Sequence, residues 1–232
     1  MEQSILDRCK LAIYSSQWAA QSAIENYKIN PDKVKVVSFG ANLECNRNLE
    51  DIKNLIKNRP TNKCKLLFLA VDWFRKGGDI ALQVAKNLNK NGLNTELNIV
   101  GCEPIVKETL PNFVNYLGFI SKNTKQGREK LEQIIAESHF LILPSRAECY
   151  GVVFCEANSF GVPCISRKVG GIPSVITDEV NGKLFDRNAA IAEYCQYIEH
   201  LFSNYSEYEK LAISSFAEYQ SRLNWDVAGQ TV

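Results

Sequence analysis

The sequence lacks a strong excess of charge of either sign. Among its 232 residues, 27 lysines and arginines stand against 26 aspartates and glutamates. A protein that binds nucleic acid usually presents a basic surface, so this balance gives no support to a nucleic-acid partner. The chain also contains no uninterrupted run of about 18 apolar residues, the length that a membrane-spanning helix needs. Without such a run or a signal peptide, the sequence predicts a cytoplasmic domain.

Metal-binding and disulfide patterns are missing as well. The chain has two histidines, His139 and His200, and neither a CxxC nor an HExxH spacing, so no metal site is expected. Its eight cysteines show no paired spacing, and several lie in apolar patterns. This is typical of free thiols in a reducing compartment. The sequence also has no D-x-D, Walker or Rossmann fingerprint, and we expect neither a metal nor a cofactor.

What the sequence does contain is an alternation of apolar runs and amphipathic segments. The apolar runs predict strands near 11–15, 35–39, 65–71, 95–101, 113–117, 139–143, 163–166 and 183–185. The amphipathic segments predict helices near 17–27, 49–58, 78–91, 124–138, 150–161, 172–178, 188–203 and 205–222, and a last one from Trp225. This alternation predicts an α/β fold, a Rossmann-like parallel sheet with helices on both faces, which binds ligands at the carboxyl ends of its strands.

Residues 148–164, ECYGVVFCEANSFGVPC, form the most informative segment. They follow an apolar run that predicts a buried strand, and they predict a loop with Glu148 and then a helix that opens near Tyr150 and Gly151. A strand, a loop and a helix start in this order are typical of sites for phosphorylated ligands in α/β proteins. The alternative is that Glu148 and Glu156 are solvated charges beside an ordinary helix.

The spacing of the two glutamates narrows the chemistry. Eight helical positions separate Glu148 and Glu156 by roughly 12 Å near one face of the helix. Retaining glycosidases need two carboxyl groups about 5 Å apart, and inverting ones need about 6.5 to 9.5 Å, so a paired-carboxylate hydrolase is not expected. Carboxylates about 12 Å apart could instead hold hydroxyl groups at opposite ends of a long ligand, with helix N–H groups between them for a diphosphate. Nucleotide sugars have this layout.

Two glycine pairs follow predicted strands. Arg75 and Lys76 stand directly before Gly77 and Gly78 at a predicted helix start. Glycines let the backbone come close to a ligand, and arginine and lysine bind phosphate oxygens through charge-assisted hydrogen bonds, so this segment is a candidate phosphate clamp. A basic, solvated turn is the alternative. The second pair, in residues 170–173, could offer N–H groups to an anion or a sugar, or form a plain tight turn.

The order of these segments resembles the donor-binding domain of family 4 glycosyltransferases of the GT-B fold. In that family an RKG segment at a strand end, an E-x-Y/F-G-x-x-x-x-E-A-x-x-x-G-x-P segment and a GG-I-P segment follow one another. In this chain they are residues 75–77, 148–163 and 170–173, with NIVG, NYLGFI and LPS between them. The resemblance covers most of the chain, and the central motif is specific.

The resemblance implies a sugar-nucleotide donor and a role for each motif residue. Lys76 and Glu148 are implied as the catalytic residues: Lys76, helped by Arg75 and the close backbone at Gly77, neutralises the diphosphate, and Glu148 binds hydroxyls of the transferred sugar. A cationic clamp would stabilise the charge on a departing nucleoside diphosphate. Glu156 is implied to hold the ribose. The other implied donor contacts are the backbone of Tyr150, Gly151 and Val152, and Phe119 and Ile120 beside the base.

The sequence departs from the family pattern in two ways. Many members carry an arginine several residues before the lysine, whereas this chain reads AVDWF there and has Arg75 directly beside Lys76, which leaves the role of Arg75 open. A separate acceptor-binding domain normally comes first, and 232 residues leave no room for one. We expect residues 1–42 to be the tail of that domain and the hinge, and residues 43–232 to be the donor-binding domain. The chain is then a fragment, or one half of a naturally split protein.

The sequence thus predicts the donor-binding half of a retaining, metal-independent glycosyltransferase that uses a nucleoside-diphosphate sugar. The acceptor, a glycan, a lipid or a small molecule, would bind through the missing first domain. Two alternatives stay open. One is a nucleotide-sugar-binding module that is inactive without an acceptor domain, and the other is a sugar-nucleotide epimerase of the GT-B fold.

Overall fold

A six-stranded parallel sheet forms the centre of the computed structural model, which describes residues 2–232. The strands are β1 (Ala12–Tyr14), β2 (Val34–Val36), β3 (Cys64–Ala70), β4 (Thr95–Gly101), β5 (Val114–Tyr116), β6 (Phe140–Leu143), β7 (Cys164–Arg167) and β8 (Gly182–Phe185). In the central sheet the order is β5-β4-β3-β6-β7-β8, and each neighbouring pair is parallel. Strands β1 and β2 pair in a separate parallel sheet.

Helices connect most of the successive strands, which confirms the predicted α/β fold. They are α1 (Glu2–Arg8), α2 (Gln17–Tyr27), α3 (Leu49–Lys57), α4 (Gly78–Lys90), α5 (Lys125–Glu137), α6 (Val152–Asn158), α7 (Ile191–Ser203), α8 (Tyr205–Arg222) and α9 (Trp225–Thr231). Helix α4 packs against α7, and α8 packs against α3 and α6. All four residues of β6 are buried, as expected for a central strand of a parallel sheet that is covered on both faces.

The first part of the chain forms a small unit with its own apolar cluster. Ala12, Ala23 and Ile29 are buried together between α2 and the two-stranded sheet. The last helix returns to the segment that follows this unit: the Trp225 ring stacks on Phe39 with ring centroids 5.4 Å apart. The predicted boundary at residue 42 stays a prediction, and the first residue of the predicted segment 1–42 lies outside the described residues.

The structure differs most from the predicted elements in three places. The predicted helix 172–178 is a single 3-10 turn, Ile172–Ser174, because the Asn181 side chain accepts the Thr177 N–H at 2.7 Å and a turn replaces the next helical turn. Helix α6 is shorter than the predicted 150–161, since it begins at Val152 and ends at Asn158. Helix α1 was not predicted, and a helix of seven residues carries little periodic signal.

His139 lies inside the fold and has a structural role. It is fully buried, and its Nδ1 accepts the Lys65 N–H at 3.0 Å between two neighbouring strands. Burial lowers the pKa of His139 to about 3. The folded chain therefore holds His139 neutral at pH values where the unfolded chain would protonate it.

This difference predicts a loss of stability in mild acid. The pKa of a free histidine is about 6.5, so the unfolded state binds more protons than the folded state between that pH and about pH 3, and stability falls as the pH drops. The expected loss between pH 7 and pH 5 is about 2 kcal/mol. Urea unfolding at both pH values measures this loss.

His139→Asn, which keeps a hydrogen-bond acceptor, should lose clearly less free energy of unfolding between the two pH values. An equal loss in this variant would show that groups other than His139 cause the pH effect. Exposed His200→Asn is the matched control and should behave as the unchanged chain does.

Candidate functional site

A cleft with a volume of about 680 Å³ lies at the carboxyl ends of β3 and β4, beside the start of α6. Its walls come from the small first unit, from the central sheet and from the loops that follow the strands. The lining residues are Ser15, Phe39, Asn42, Leu69, Ala70, Val71, Lys76, Val100, Gly101, Phe119, Ile120, Ser121, Lys122, Asn123, Leu131, Glu148, Cys149, Tyr150, Gly151, Val152, Val153 and Glu156. This is the edge of a parallel sheet where α/β proteins bind their ligands.

Lys76 and Glu148 meet in this cleft although 72 positions separate them in the sequence. Their side chains form an ion pair, and they are 14% and 12% exposed, respectively. Lys76 comes from the turn between β3 and α4, and Glu148 comes from the loop between β6 and α6. The candidate phosphate clamp and the glutamate motif, found separately in the sequence, therefore lie at one place.

The turn that carries Lys76 is held by its own side chains. Asp72 accepts the Arg75 backbone N–H at 3.0 Å and pairs with the Arg75 side chain at 3.2 Å. The backbone hydrogen bond from Arg75 lowers the pKa of Asp72. At Gly77 the backbone has a φ of +79°, and a Cβ there would overlap the carbonyl oxygen of Pro144, the residue after β6. The Arg75 side chain is thus paired with Asp72 beside the cleft, and Gly77 allows the turn to pack closely against the end of β6.

The loop that carries Glu148 rests on the second glycine pair. The N–H of Gly171 donates to the carbonyl oxygen of Glu148 at 3.0 Å. A Cβ on Gly170 would overlap the Glu148 carbonyl oxygen, and a Cβ on Gly171 would overlap that of Cys149. Only glycine allows this approach of two backbones. The Gly171 N–H is therefore used to position the loop, as in the tight-turn interpretation of this pair.

The start of α6 lies in the same cleft. Gly151 precedes the helix with a φ of +89°, and the first N–H groups of a helix have no acceptor within it. The Tyr150 hydroxyl donates to the Phe39 carbonyl oxygen at 2.9 Å, and burial raises the pKa of Tyr150. This hydrogen bond connects the helix start to the segment between the small first unit and the central sheet. Because α6 begins at Val152, Glu148 lies before the helix, and the helical spacing of about 12 Å between the two glutamates does not apply.

Glu156 is buried at another part of the cleft and has a cationic partner. Its side chain is 1% exposed, and its Oε1 accepts a hydrogen bond from Lys122 Nζ at 2.5 Å. Lys122 follows Phe119 and Ile120 on the loop after β5, where the Phe119 side chain is 73% exposed at the cleft. Lys122 was not among the predicted site residues, and its position two residues after the NYLGFI segment was the available signal.

The structure brings together eight of the ten predicted site residues, and Arg75 and Gly77 do not line the cleft. The eight are Lys76, Phe119, Ile120, Glu148, Tyr150, Gly151, Val152 and Glu156. Other lining residues that were not predicted reach the cleft from segments without a recognisable motif: Ser15, Phe39, Asn42 and Asn123. Among residues 2–232, no three histidine, cysteine or acidic side chains are grouped as a metal site, and no helix is both long and apolar enough to span a membrane.

The sequence of residues 50–215 matches the family model of the glycosyl transferases group 1. This match covers well over half of the chain, which therefore belongs to that family. The parallel sheet and the position of the cleft agree with the donor-side half of a GT-B fold.

Individual proteins give the same picture. The chain is 24% identical to the D-inositol 3-phosphate glycosyltransferase of Mycolicibacterium smegmatis, over 97% of this chain and 52% of that protein. It is 32% identical to an uncharacterized 41.2 kDa protein in the cps region of Klebsiella pneumoniae, over 67% of this chain and 42% of the relative. The chain thus spans about half the length of the curated relatives it matches.

Solved structures share the fold. Anabaena HepE in complex with UDP superposes with a TM-score of 0.74 at 21% identity, over 99% of this chain and 66% of that one. WaaG, a glycosyltransferase involved in lipopolysaccharide biosynthesis, superposes with a TM-score of 0.74 at 16% identity, over 94% and 60% of the two chains. At these identities the likeness establishes the fold.

Proposed function

We propose that this chain is the donor-binding half of a retaining, metal-independent glycosyltransferase that transfers a sugar from a nucleoside-diphosphate sugar to an acceptor. The observation that carries the proposal is the meeting of Lys76 and Glu148 in a cleft that also contains the start of α6 and the buried Glu156. Membership of the glycosyl transferases group 1 supports the same activity. Anabaena HepE, which shares the fold, has been solved with UDP and with UDP-glucose.

Lys76 is proposed to neutralise the diphosphate. An ammonium group has three N–H donors, so Lys76 can keep its contact with Glu148 while it donates to a phosphate oxygen. The N–H groups at the start of α6 lie in the same cleft and add partial positive charge. Together these groups would stabilise the charge on the departing nucleoside diphosphate, which is the work that a metal ion performs in other enzymes.

Glu148 and Glu156 are proposed to bind the two sugars of the donor. Glu148, held against Lys76, would accept hydrogen bonds from the transferred sugar, and the buried Glu156 would accept them from the ribose. Lys122 pairs with Glu156, so the ribose hydroxyl groups would share that carboxylate with Lys122 or displace it. The exposed Phe119 side chain and Ile120 would lie beside the base.

Titration calorimetry of the 232-residue chain with UDP, GDP and ADP, and with their sugar conjugates, tests donor binding. Binding of at least one nucleotide, unchanged by EDTA, is the expected result. Absence of binding to all of them would refute the proposal. When the chain is joined to an acceptor-binding domain, NMR of the product should show the anomeric configuration of the donor retained.

Glu156→Gln tests the ribose contact. We expect the variant to bind the preferred nucleoside diphosphate about 10-fold more weakly, because a neutral amide oxygen accepts hydrogen bonds from the ribose less strongly than a carboxylate does. The 2′,3′-dideoxy form of the same nucleotide should bind the variant and the unchanged chain alike, and calorimetry measures all four affinities. Glu129→Gln removes an equal charge from the exposed surface of α5 and serves as the control. An equal loss for the ribose and dideoxy forms would show that Glu156 acts on the cleft as a whole.

A further inference from the structure

A second depression, with a volume of about 580 Å³, adjoins the cleft on the side of the small first unit. Four cationic side chains line it: Arg75, Arg146, Lys168 and Arg187. They come from the turn before α4, the loop after β6 and the segments that follow β7 and β8. The tertiary structure thus collects four positive charges that are dispersed in a sequence of nearly zero net charge.

Two of these charges are neutralised within the fold. Arg75 pairs with Asp72 at 3.2 Å, and Arg146 makes two hydrogen bonds with the carboxylate of Asp79, at 2.7 and 2.8 Å. Glu148, which also lines the depression, is paired with Lys76.

The other two charges are available. Within residues 2–232 the structure records no hydrogen bond or ion pair for the side chains of Lys168 and Arg187. The depression therefore keeps two positive charges that a ligand can neutralise.

The two cavities meet at Glu148 and Cys149, which line both. Under the proposed function, Glu148 marks the place of the sugar to be transferred. A molecule in the depression would then lie next to that sugar, on the side away from the nucleotide. Trp18, which is 52% exposed, also lines the depression and offers an apolar ring face to such a molecule.

We propose that this depression is an acceptor subsite and that it takes an acceptor carrying a phosphate group, bound by Lys168 and Arg187. The term acceptor rests on the proposed function, whereas the binding of a phosphate group rests on the charges alone. A phosphate near neutral pH carries close to two negative charges and three acceptor oxygens. Arginine binds phosphate through two parallel hydrogen bonds, and lysine binds it as a point charge, so the pair matches a phosphate group in number and sign.

The test uses two probes and the 232-residue chain, saturated with whichever of UDP, GDP and ADP it binds most tightly so that the cleft is occupied. Glucose 6-phosphate represents a soluble acceptor, and phosphatidylcholine vesicles that contain phosphatidic acid represent a lipid headgroup. We expect one of the probes to bind and to shift the NMR signals of the Trp18 indole and the Gly170 amide. In the double variant Lys168→Gln/Arg187→Gln, the dissociation constant of that probe should rise at least about 10-fold.

The matched control is Lys57→Gln/Lys90→Gln, which removes two exposed charges at the far ends of α3 and α4. This control should bind the probe as the unchanged chain does. Binding of either probe that survives in the Lys168/Arg187 variant, or binding of neither, would overturn the proposal. The affinity for that nucleotide is measured on the same variants and should not change. Nucleotide binding without phosphate binding refutes only the acceptor subsite, while absence of binding to UDP, GDP and ADP by the unchanged chain refutes the proposed function.

Discussion

Replacement of Lys76 by alanine is expected to weaken the binding of a nucleoside diphosphate by about 100-fold, or roughly 3 kcal/mol. Lys76 and Glu148 form an ion pair with little solvent exposure. Without the ammonium group, the diphosphate loses a charge-assisted hydrogen bond, and the Glu148 carboxylate stays unpaired beside it. Titration calorimetry of the 232-residue chain with its preferred nucleotide measures the change.

Two further variants make this result specific. Lys86 lies on α4 outside the cleft, and its Nζ is 3.8 Å from a carboxylate oxygen of Glu108 at the surface. Lys86→Ala should therefore leave nucleotide affinity unchanged. In Lys76→Ala/Glu148→Ala the unpaired carboxylate is gone as well, so part of the lost affinity should return. An unchanged affinity in the Lys76→Ala variant, with its fold intact by circular dichroism, would contradict the proposed role of Lys76.

Gly171→Ala is expected to lower the free energy of unfolding by about 3 kcal/mol, as overpacking against rigid neighbours does. The added methyl group would overlap the Cys149 carbonyl oxygen and approach the Cβ of Ser16 at 2.8 Å. Backbone atoms cannot turn aside as a side chain can, so the loop that carries Glu148 must move. Urea unfolding measures the loss of stability, and calorimetry should show weaker nucleotide binding in the same variant.

Gly229→Ala is the matched control for this substitution. Gly229 lies in α9, and a Cβ there would meet no atom within 4 Å. Alanine favours a helix over glycine by up to about 1 kcal/mol, so this variant should be as stable as the unchanged chain or slightly more so. A Gly171→Ala variant as stable as Gly229→Ala would show that the contact between the two loops does not constrain the site.

Much of the fold was predictable because its signals are local. The apolar run before residue 144 predicts a strand, and β6 forms there. The glycine that follows Arg75 and Lys76 predicts a helix start, and α4 begins there. Each of these signals lies within a few residues of the element that it predicts. Two helices were predicted to be longer than they are in the structure. The segment after Pro173 forms a turn, which is held by the side chain of Asn181, a residue beyond the end of the predicted helix. The loop that carries Glu148 extends to Gly151, so α6 begins later than the sequence pattern indicated.

Only those residues of the candidate site that belong to a motif could be predicted from the sequence. Lys76, Glu148 and Glu156 stand in segments whose spacing is recognisable along the chain. Lys122 pairs with Glu156 across 34 positions. Its position near the NYLGFI segment indicates a place at the cleft, and the partner itself is visible only in the tertiary structure. Arg75, which the sequence suggested as a helper of Lys76, is held instead by Asp72 beside the cleft.

The sequence by itself determined that this protein is an α/β domain with a cationic turn and a glutamate loop, each at a strand end. Such features follow from the periodicity of apolar residues, from turn residues and from motif spacing, all of which are patterns within short segments of the chain. Only the tertiary structure decided which charges are neutralised and which remain available. Arg146 pairs with Asp79, whereas Lys168 and Arg187 face a depression without a partner in the described residues. Ion pairing depends on distances of a few ångströms between segments far apart in the chain, and the packing of the loops sets those distances.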